Sequence, residues 1–297
     1  MTTDSLKTIH RLNITLPFAA GEDDLYFLQE LVPWGWEETV HQEQTRLTVH
    51  CHDSDQALRI RRKIKAAFPG AVLALHRQAD RDWMDAWKEF FTPIPIRNRF
   101  LVLPPWLGDT TELQGRTPIL INPKSAFGTG HHATTALCLE ALVDLADSGV
   151  LDPQCEFLDL GTGSGILGIG CAKLGLTGLG LDIDPEAVRN ARENRALNGV
   201  PEHRFLLASG SIDCLQHPKR FKMIVANILA GPLEAMAGTI VDHLQPDGVL
   251  VLSGLLREQE FMVTTAYTRL GLPKPHILRQ GEWSALIWEL APTAELS

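Results

Sequence analysis

Leu12, Ile14 and Leu16 alternate with Arg11, Asn13 and Thr15, the period-two signature of a strand with one buried face. This predicts a first strand over 9–16. A short amphipathic run over 23–31 reads as a helix, and strands over 36–41 and 47–51 surround the polar turn Gln42-Glu43-Gln44. Asp53 or Ser54 caps the next helix, whose Ile60, Ile64 and Phe68 recur at helical spacing until Pro69-Gly70 stops it. A strand over 71–75 completes the order strand, helix, strand, strand, helix, strand. That order is the ferredoxin-like α+β sandwich, and it bounds a first domain over 1–78.

Residues 79–99 read as a connector. A short helix over 81–91 sets Trp83, Trp87 and Phe90/Phe91 on one side, spacing that any docked helix shows. Pro93, Pro95, Pro104 and Pro105 then punctuate an extended stretch. From 100 to 297 the periodicity alternates between helix and strand. Helices are predicted over 133–145, 165–174, 185–198, 232–243 and 257–270. Strands are predicted over 157–160, 178–181, 205–207, 223–226 and 249–253, with a closing hairpin at 275–279 and 285–290. The fold class is therefore α/β: a doubly wound, mostly parallel, Rossmann-like sheet behind a small N-terminal α+β domain.

Composition narrows the class. A hydrophobic share of 44% and a charged share of 21% suit a globular chain with ample core. Residues 1–10 are polar, so no secretory signal is read there, and no apolar run reaches the roughly 18 residues that span a bilayer. The five cysteines form no CxxC pair and read as reduced thiols of a cytoplasmic protein, not as a disulfide frame or zinc site. A net charge of −9 disfavours bare nucleic acid as the partner and suits a basic protein.

The chemistry concentrates in Leu158-Asp159-Leu160-Gly161-Thr162-Gly163-Ser164-Gly165, where an apolar strand ends in an acid and three spaced glycines before a helix opens. Glycines there let a nucleotide-like ligand approach the backbone. Gly163, Gly165 and Gly168 also satisfy the dinucleotide fingerprint, so the glycines alone leave an NAD-dependent dehydrogenase open. Asp159 suits a cationic methionine amino group better than a pyrophosphate. Asp182, ending the next strand, can accept both ribose hydroxyls, with Ile183 against the adenine face and Asp184 capping the helix at Pro185. Asn227 closes another buried strand with a carboxamide whose oxygen can accept from an incoming amine. Residues 122–135, rich in glycines and hydroxyls, read as a mobile loop that folds over the cofactor. His131 and His132 are adjacent, so their side chains diverge, and no metal site is read there.

These motifs resemble those of class I S-adenosylmethionine-dependent methyltransferases, and more narrowly the bacterial family that methylates ribosomal protein L-eleven (L11). The likeness covers nearly the whole chain. It is carried by the glycine loop, Phe127-Gly128-Thr129-Gly130 with Thr134-Thr135, Gly180-Leu181-Asp182-Ile183-Asp184-Pro185, and Ala226-Asn227-Ile228-Leu229-Ala230. The family pattern has Thr-His-Pro where this chain has His131-His132-Ala133. The resemblance implies S-adenosyl-L-methionine as cofactor, contacted by Thr135, Gly161, Asp182 and Asn227, with Gly163 beside them and Asn227 at the catalytic position. It implies lysine and/or N-terminal amines of L11 as the substrate, free or in the large ribosomal subunit, gripped by the N-terminal module; a monomer is expected. Ile228-Leu229-Ala230 leaves room for an already methylated nitrogen. A lysine methyltransferase for another protein, or an RNA methyltransferase, shares most of these motifs. The run Arg59-Ile60-Arg61-Arg62-Lys63-Ile64-Lys65 turns five cations outward and admits a peripheral ribosomal RNA contact. The module lacks the aromatic-rich strands of an RNA-recognition fold.

Overall fold

The computed structural model describes residues 8–17, 27–28, 31–32, 36–41, 44–51, 54–79, 92–122, 132–215 and 219–290. Most of the expected helix over 23–31, the turn residues Gln42 and Glu43, Asp53, the connector helix over 81–91 and the segment 123–131 lie outside these. The chain divides into two compact units, Met1–Phe90 and Phe91–Ser297.

In the first unit β1 (Thr8–Leu16), β2 (Glu37–His41), β3 (Gln44–Cys51) and β4 (Val72–Ala79) form one antiparallel sheet in the order β2-β3-β1-β4. Leu12 faces Val49 and Leu75 across the ladder, and Ile14 faces Leu47 and Leu73, so one face is apolar. Helix α1 (Ser54–Ala67) covers that face with Ala57, Ile60 and Ile64, joined by Leu28 and Val32. The opposite face carries Arg11, Asn13, Arg46, Thr48 and His50, and Asn13 accepts hydrogen bonds from Arg11 and Thr48. The strand alternation read from sequence is thus the sandwich's inside and outside.

The second unit is built on seven strands: β8 (Glu156–Leu160), β9 (Thr177–Asp182), β10 (Phe205–Ser209), β11 (Phe221–Asn227), β12 (Leu244–Leu256), β13 (His276–Gln280) and β14 (Trp283–Glu289). Their order is β10-β9-β8-β11-β12-β14-β13; the first five run parallel, and the closing hairpin inserts β14 antiparallel beside β12. Phe157, Met223 and Val225 pack on one face, beneath α2 (Ala133–Asp147) and α3 (Ile166–Lys173). Leu158, Leu160 and Ile224 pack on the other, with Val263 and Tyr267 of α7 (Glu260–Thr268). Burial on both faces is why these strands read as continuous apolar runs. The helix expected over 232–243 is two short ones, α5 (Ala230–Ala235) and α6 (Ala237–Asp242), broken at Met236.

A third sheet went unread in the sequence: β5 (Ile94–Ile96), β6 (Phe100–Leu103) and β7 (Thr117–Leu120). These strands are short, and Pro95 and Pro118 sit inside two of them, which masks the alternation. Helix α4 (Pro185–Leu197) ties this sheet to the glycine turn. Fully buried Asn194 accepts from the Asn122 N–H at 3.0 Å and donates to the Ser164 carbonyl at 2.9 Å. Asn198, just past the helix, exchanges two bonds with the Leu120 backbone, at 2.9 and 2.6 Å. Replacing Asn194 by Ala leaves the buried Ser164 carbonyl unpaired, at about 1–3 kcal/mol, and the half-buried Asn122 N–H, at less. Urea unfolding should therefore show Asn194→Ala destabilised by about 2–4 kcal/mol. A loss below about 0.5 kcal/mol would mean the amide is not the tie.

Candidate cofactor and active site

A cleft of about 600 Å³ opens at the carboxyl ends of the parallel strands, lined by Thr135, Gly161, Gly163, Asp182 and Asn227 together with Ile228, Gly254 and Trp283. All five residues predicted from sequence therefore meet in one crevice. It lies outside the strand ends next to β8, where the chain's path across the sheet reverses.

The turn after β8 is held from several directions. Gly161 N–H and Thr162 N–H both donate to the Leu181 carbonyl, at 2.8 and 2.9 Å. Gly163 N–H donates to Asp182 Oδ2 at 2.9 Å, while Asp182 Oδ1 accepts from Asp184 N–H at 3.0 Å. Gly161, Gly163 and Gly165 have φ of +72°, +54° and +81°, the left-handed region that disfavours side chains. At Gly163 a Cβ would meet nothing nearer than 3.9 Å, so the backbone there is open to a ligand.

Asp159 departs from its expected role. It does not line the cleft: it is 1% exposed, and its Oδ2 accepts from Thr162 Oγ1 at 2.6 Å and Gly168 N–H at 3.0 Å. Its Oδ2 anchors the turn from beneath, while its Oδ1, equally buried, has no hydrogen-bond partner among the described residues. Burial pushes its carboxyl up to about 6, against the hydrogen bonds from Thr162 and Gly168 that favour the ionised form. Ile183 stands 79% exposed at the strand edge and is absent from the cleft wall. Asp184 does cap α4, accepting from Glu186 N–H at 2.9 Å.

Asn227 ends β11, and its Nδ2 donates to Thr135 Oγ1, in the first turn of α2, at 3.1 Å. The carboxamide oxygen remains to accept from something in the cleft. The following residue, Ile228, is wedged between two glycines. A Cβ on Gly161 would lie 2.4 Å from Ile228 Cγ2, and one on Gly254 would lie 2.3 Å from the Ile228 carbonyl oxygen. Gly254 has φ +85° and sits where the β12–β14 register slips between Leu252 and Leu255. His132 caps α2, its Nδ1 2.8 Å from Thr134 Oγ1, and meets the Trp283 indole edge-on at 4.5 Å. No cluster of metal-ligating side chains occurs among the described residues.

Gly254 and Trp283 were missed from sequence. A glycine inside a strand does signal a bulge or a close backbone approach, so Gly254 was findable. Trp283 comes from the distant hairpin and carries no local signal.

The family described as Ribosomal protein L11 methyltransferase (PrmA) has a sequence model that matches residues 22–290. The chain belongs to this family. It is 40% identical over 225 residues to the Ribosomal protein L11 methyltransferase of Geobacter metallireducens, covering 75% of this chain and 70% of the relative. It is 40% identical over 238 residues to the one from Trichlorobacter lovleyi, covering 76% and 75%. A crystal structure of ribosomal protein L11 methylase from Lactobacillus delbrueckii subsp. bulgaricus superposes with a TM-score of 0.59 at 28% identity, covering 68% of this chain and all of that one. This member of the L11 methyltransferase family therefore has the class I methyltransferase fold, whose methyl donor is S-adenosylmethionine.

The Asp159 geometry gives a pH dependence with a definite sign. An unfolded aspartate has a pKa near ~3.9, and the folded value is about 6, so ionised Asp159 opposes folding above that pH. The cost, about 3 kcal/mol at most, fades as pH falls from 7 towards 4. Asp159→Asn, which keeps an acceptor for Thr162 and Gly168, should remove this component. In urea unfolding at several pH values the variant's advantage should shrink on acidification; parallel profiles would contradict the assignment.

Proposed function

We propose that this chain methylates amines of ribosomal protein L11 using S-adenosylmethionine. The observation that carries the reading is the convergence of Asp182 and the Thr135–Asn227 pair in one cleft beside an open glycine turn. Two of the relatives that match it carry the L11 methyltransferase name over most of its length.

The residues present fit the cofactor. Each Asp182 oxygen takes one backbone N–H and keeps a lone pair for a ribose hydroxyl. The bare Gly163 backbone leaves room for the ligand, and Gly161 sets the turn by admitting Ile228. Thr135 fixes the orientation of Asn227. The bound cofactor supplies a methyl group already activated on a sulfonium. The chain's task is to present a neutral amine in line with it, a positioning effect worth roughly 7–11 kcal/mol in favourable cases. A lysine amine, with an unperturbed pKa near ~10.4, loses its proton to water on entering the cleft, where burial and positive charge disfavour the ammonium. Asn227 Oδ1 and the Ile228 carbonyl hold the remaining hydrogens and aim the lone pair.

Substrate recognition falls to the polar face of the β2-β3-β1-β4 sheet, the one opposite α1, which carries Arg11, Asn13, Arg46 and Thr48. These side chains offer hydrogen bonds and no aromatic stacking platform, which favours a protein over single-stranded RNA. Among the described residues no helix is long and apolar enough to cross a membrane. The enzyme acts as a single chain in the cytoplasm, on L11 free or in the large subunit.

Calorimetry and labelled-methyl incorporation into purified L11 test the roles separately. Asp182→Ala loses two charge-assisted hydrogen bonds and should weaken S-adenosylmethionine binding by at least about tenfold. Asn227→Ala should bind within several-fold of wild type while turnover drops by about a hundredfold. Full turnover in Asn227→Ala would remove the amide from the mechanism, and label on another protein but not on L11 would overturn the substrate.

A further inference from the structure

Helix α1 of the first unit carries Arg59, Arg61, Arg62, Lys63 and Lys65, all exposed, against a single acid, Asp55, in its first turn. Because Ala57, Ile60 and Ile64 bury the remaining stripe against the sheet, cations fill the solvent-facing arc. Among the described residues none of the five takes part in an ion pair. Lys65 Nζ donates to the Ala71 carbonyl at 2.9 Å, beside a groove of about 310 Å³ that Arg61 and the start of β4 also line. Arg59 with Lys63, and Arg61 with Lys65, are like charges one helical turn apart, each pair costing about 0.2–0.5 kcal/mol. A face kept cationic at that cost, in a chain of net charge −9, is matched to an anion.

We propose that this face docks the phosphate backbone of RNA while the opposite face of the same sheet engages the substrate protein; the inference rests on the substrate being a ribosomal protein. Three features favour RNA phosphates. The apolar stripe of α1 is buried, and of the large apolar side chains on its outer surface only Leu58 is exposed, at 38%, so the helix has no face to insert in a lipid interface. Three arginines offer planar forks that match phosphate oxygens in pairs. No described aromatic side chain projects from α1 to stack on bases, so the contact tracks the backbone and is indifferent to sequence. A substrate protein already seated on RNA would then be held by two faces at once, raising its effective concentration at the enzyme.

The test uses the full chain, a short RNA duplex in two unrelated sequences, and L11 offered either free or bound to its RNA. The variant is Arg59→Glu/Arg62→Glu/Lys63→Glu, with the corresponding triple Gln variant as a graded control. Both duplexes should bind wild type equally, with affinity falling about a hundredfold between roughly 50 and 200 mM salt, as expected for about four phosphate contacts. The Glu variant should lose at least about tenfold in duplex affinity, with a shallower salt slope. It should keep wild-type kcat/KM on free L11 and show a raised KM on RNA-bound L11. The Gln variant should fall between. Duplex affinity unchanged in the Glu variant would overturn the proposal, as would polyglutamate binding wild type as tightly as RNA, which would make the face a dock for an acidic protein. Absence of methylation on free L11 by wild type would overturn the substrate assignment instead, and duplex binding is read independently of it.

Discussion

Two carboxylates fix the glycine turn after β8, and the cleft depends on them. Asp159 holds it from beneath through Thr162 and Gly168, and Asp182 holds it from the adjacent strand through Gly163. With φ positive at Gly161, Gly163 and Gly165, the turn has little intrinsic preference for one shape, so its conformation must be imposed from outside. The two acids meet different demands. Asp159 is sealed in the interior and its ionised form is penalised there, whereas Asp182 sits at the rim where its second lone pairs stay available. The cost of the first is what preorganises the second.

The same economy of position runs through the rest of the cleft wall. Thr135 and Asn227 come from elements far apart in the chain, yet one hydrogen bond sets the carboxamide's orientation. Asn194 links the glycine turn to the small sheet through a helix whose Ala187 and Asn190 also line the cleft. Such supporting amides keep a site rigid on strand ends and helix starts, so that little rearrangement is needed when a ligand arrives.

Much of this was legible in the sequence, for physical reasons that differ by element. The ferredoxin-like order followed from period-two alternation, because only one face of that sheet is buried. The parallel strands followed from short apolar runs, because both faces are covered. Gly161, Gly163, Asp182 and Asn227 stood out because a glycine turn, a strand end and a terminal polar residue are local signals, whereas Thr135 came only from the family resemblance; all five line the cleft. What failed was what only tertiary contact decides. Asp159 occupies the position of a ligand-contacting acid, but the side of the strand it faces puts it in the core. The sheet of β5, β6 and β7 was hidden by prolines in strands of three or four residues. Trp283 reaches the cleft because the last hairpin inserts beside β12, an arrangement that no local pattern encodes.

Ile228, pinned between Gly161 and Gly254, makes those two positions genetically inseparable. A methyl group added at either one pushes on the same residue, so the two lesions should overlap instead of adding. Trimming Ile228 to a smaller residue should relieve the contact part of an alanine at Gly161, where the clash is with its side chain, and leave the strain of the positive φ. It should fail to rescue Gly254, where the clash is with its peptide group.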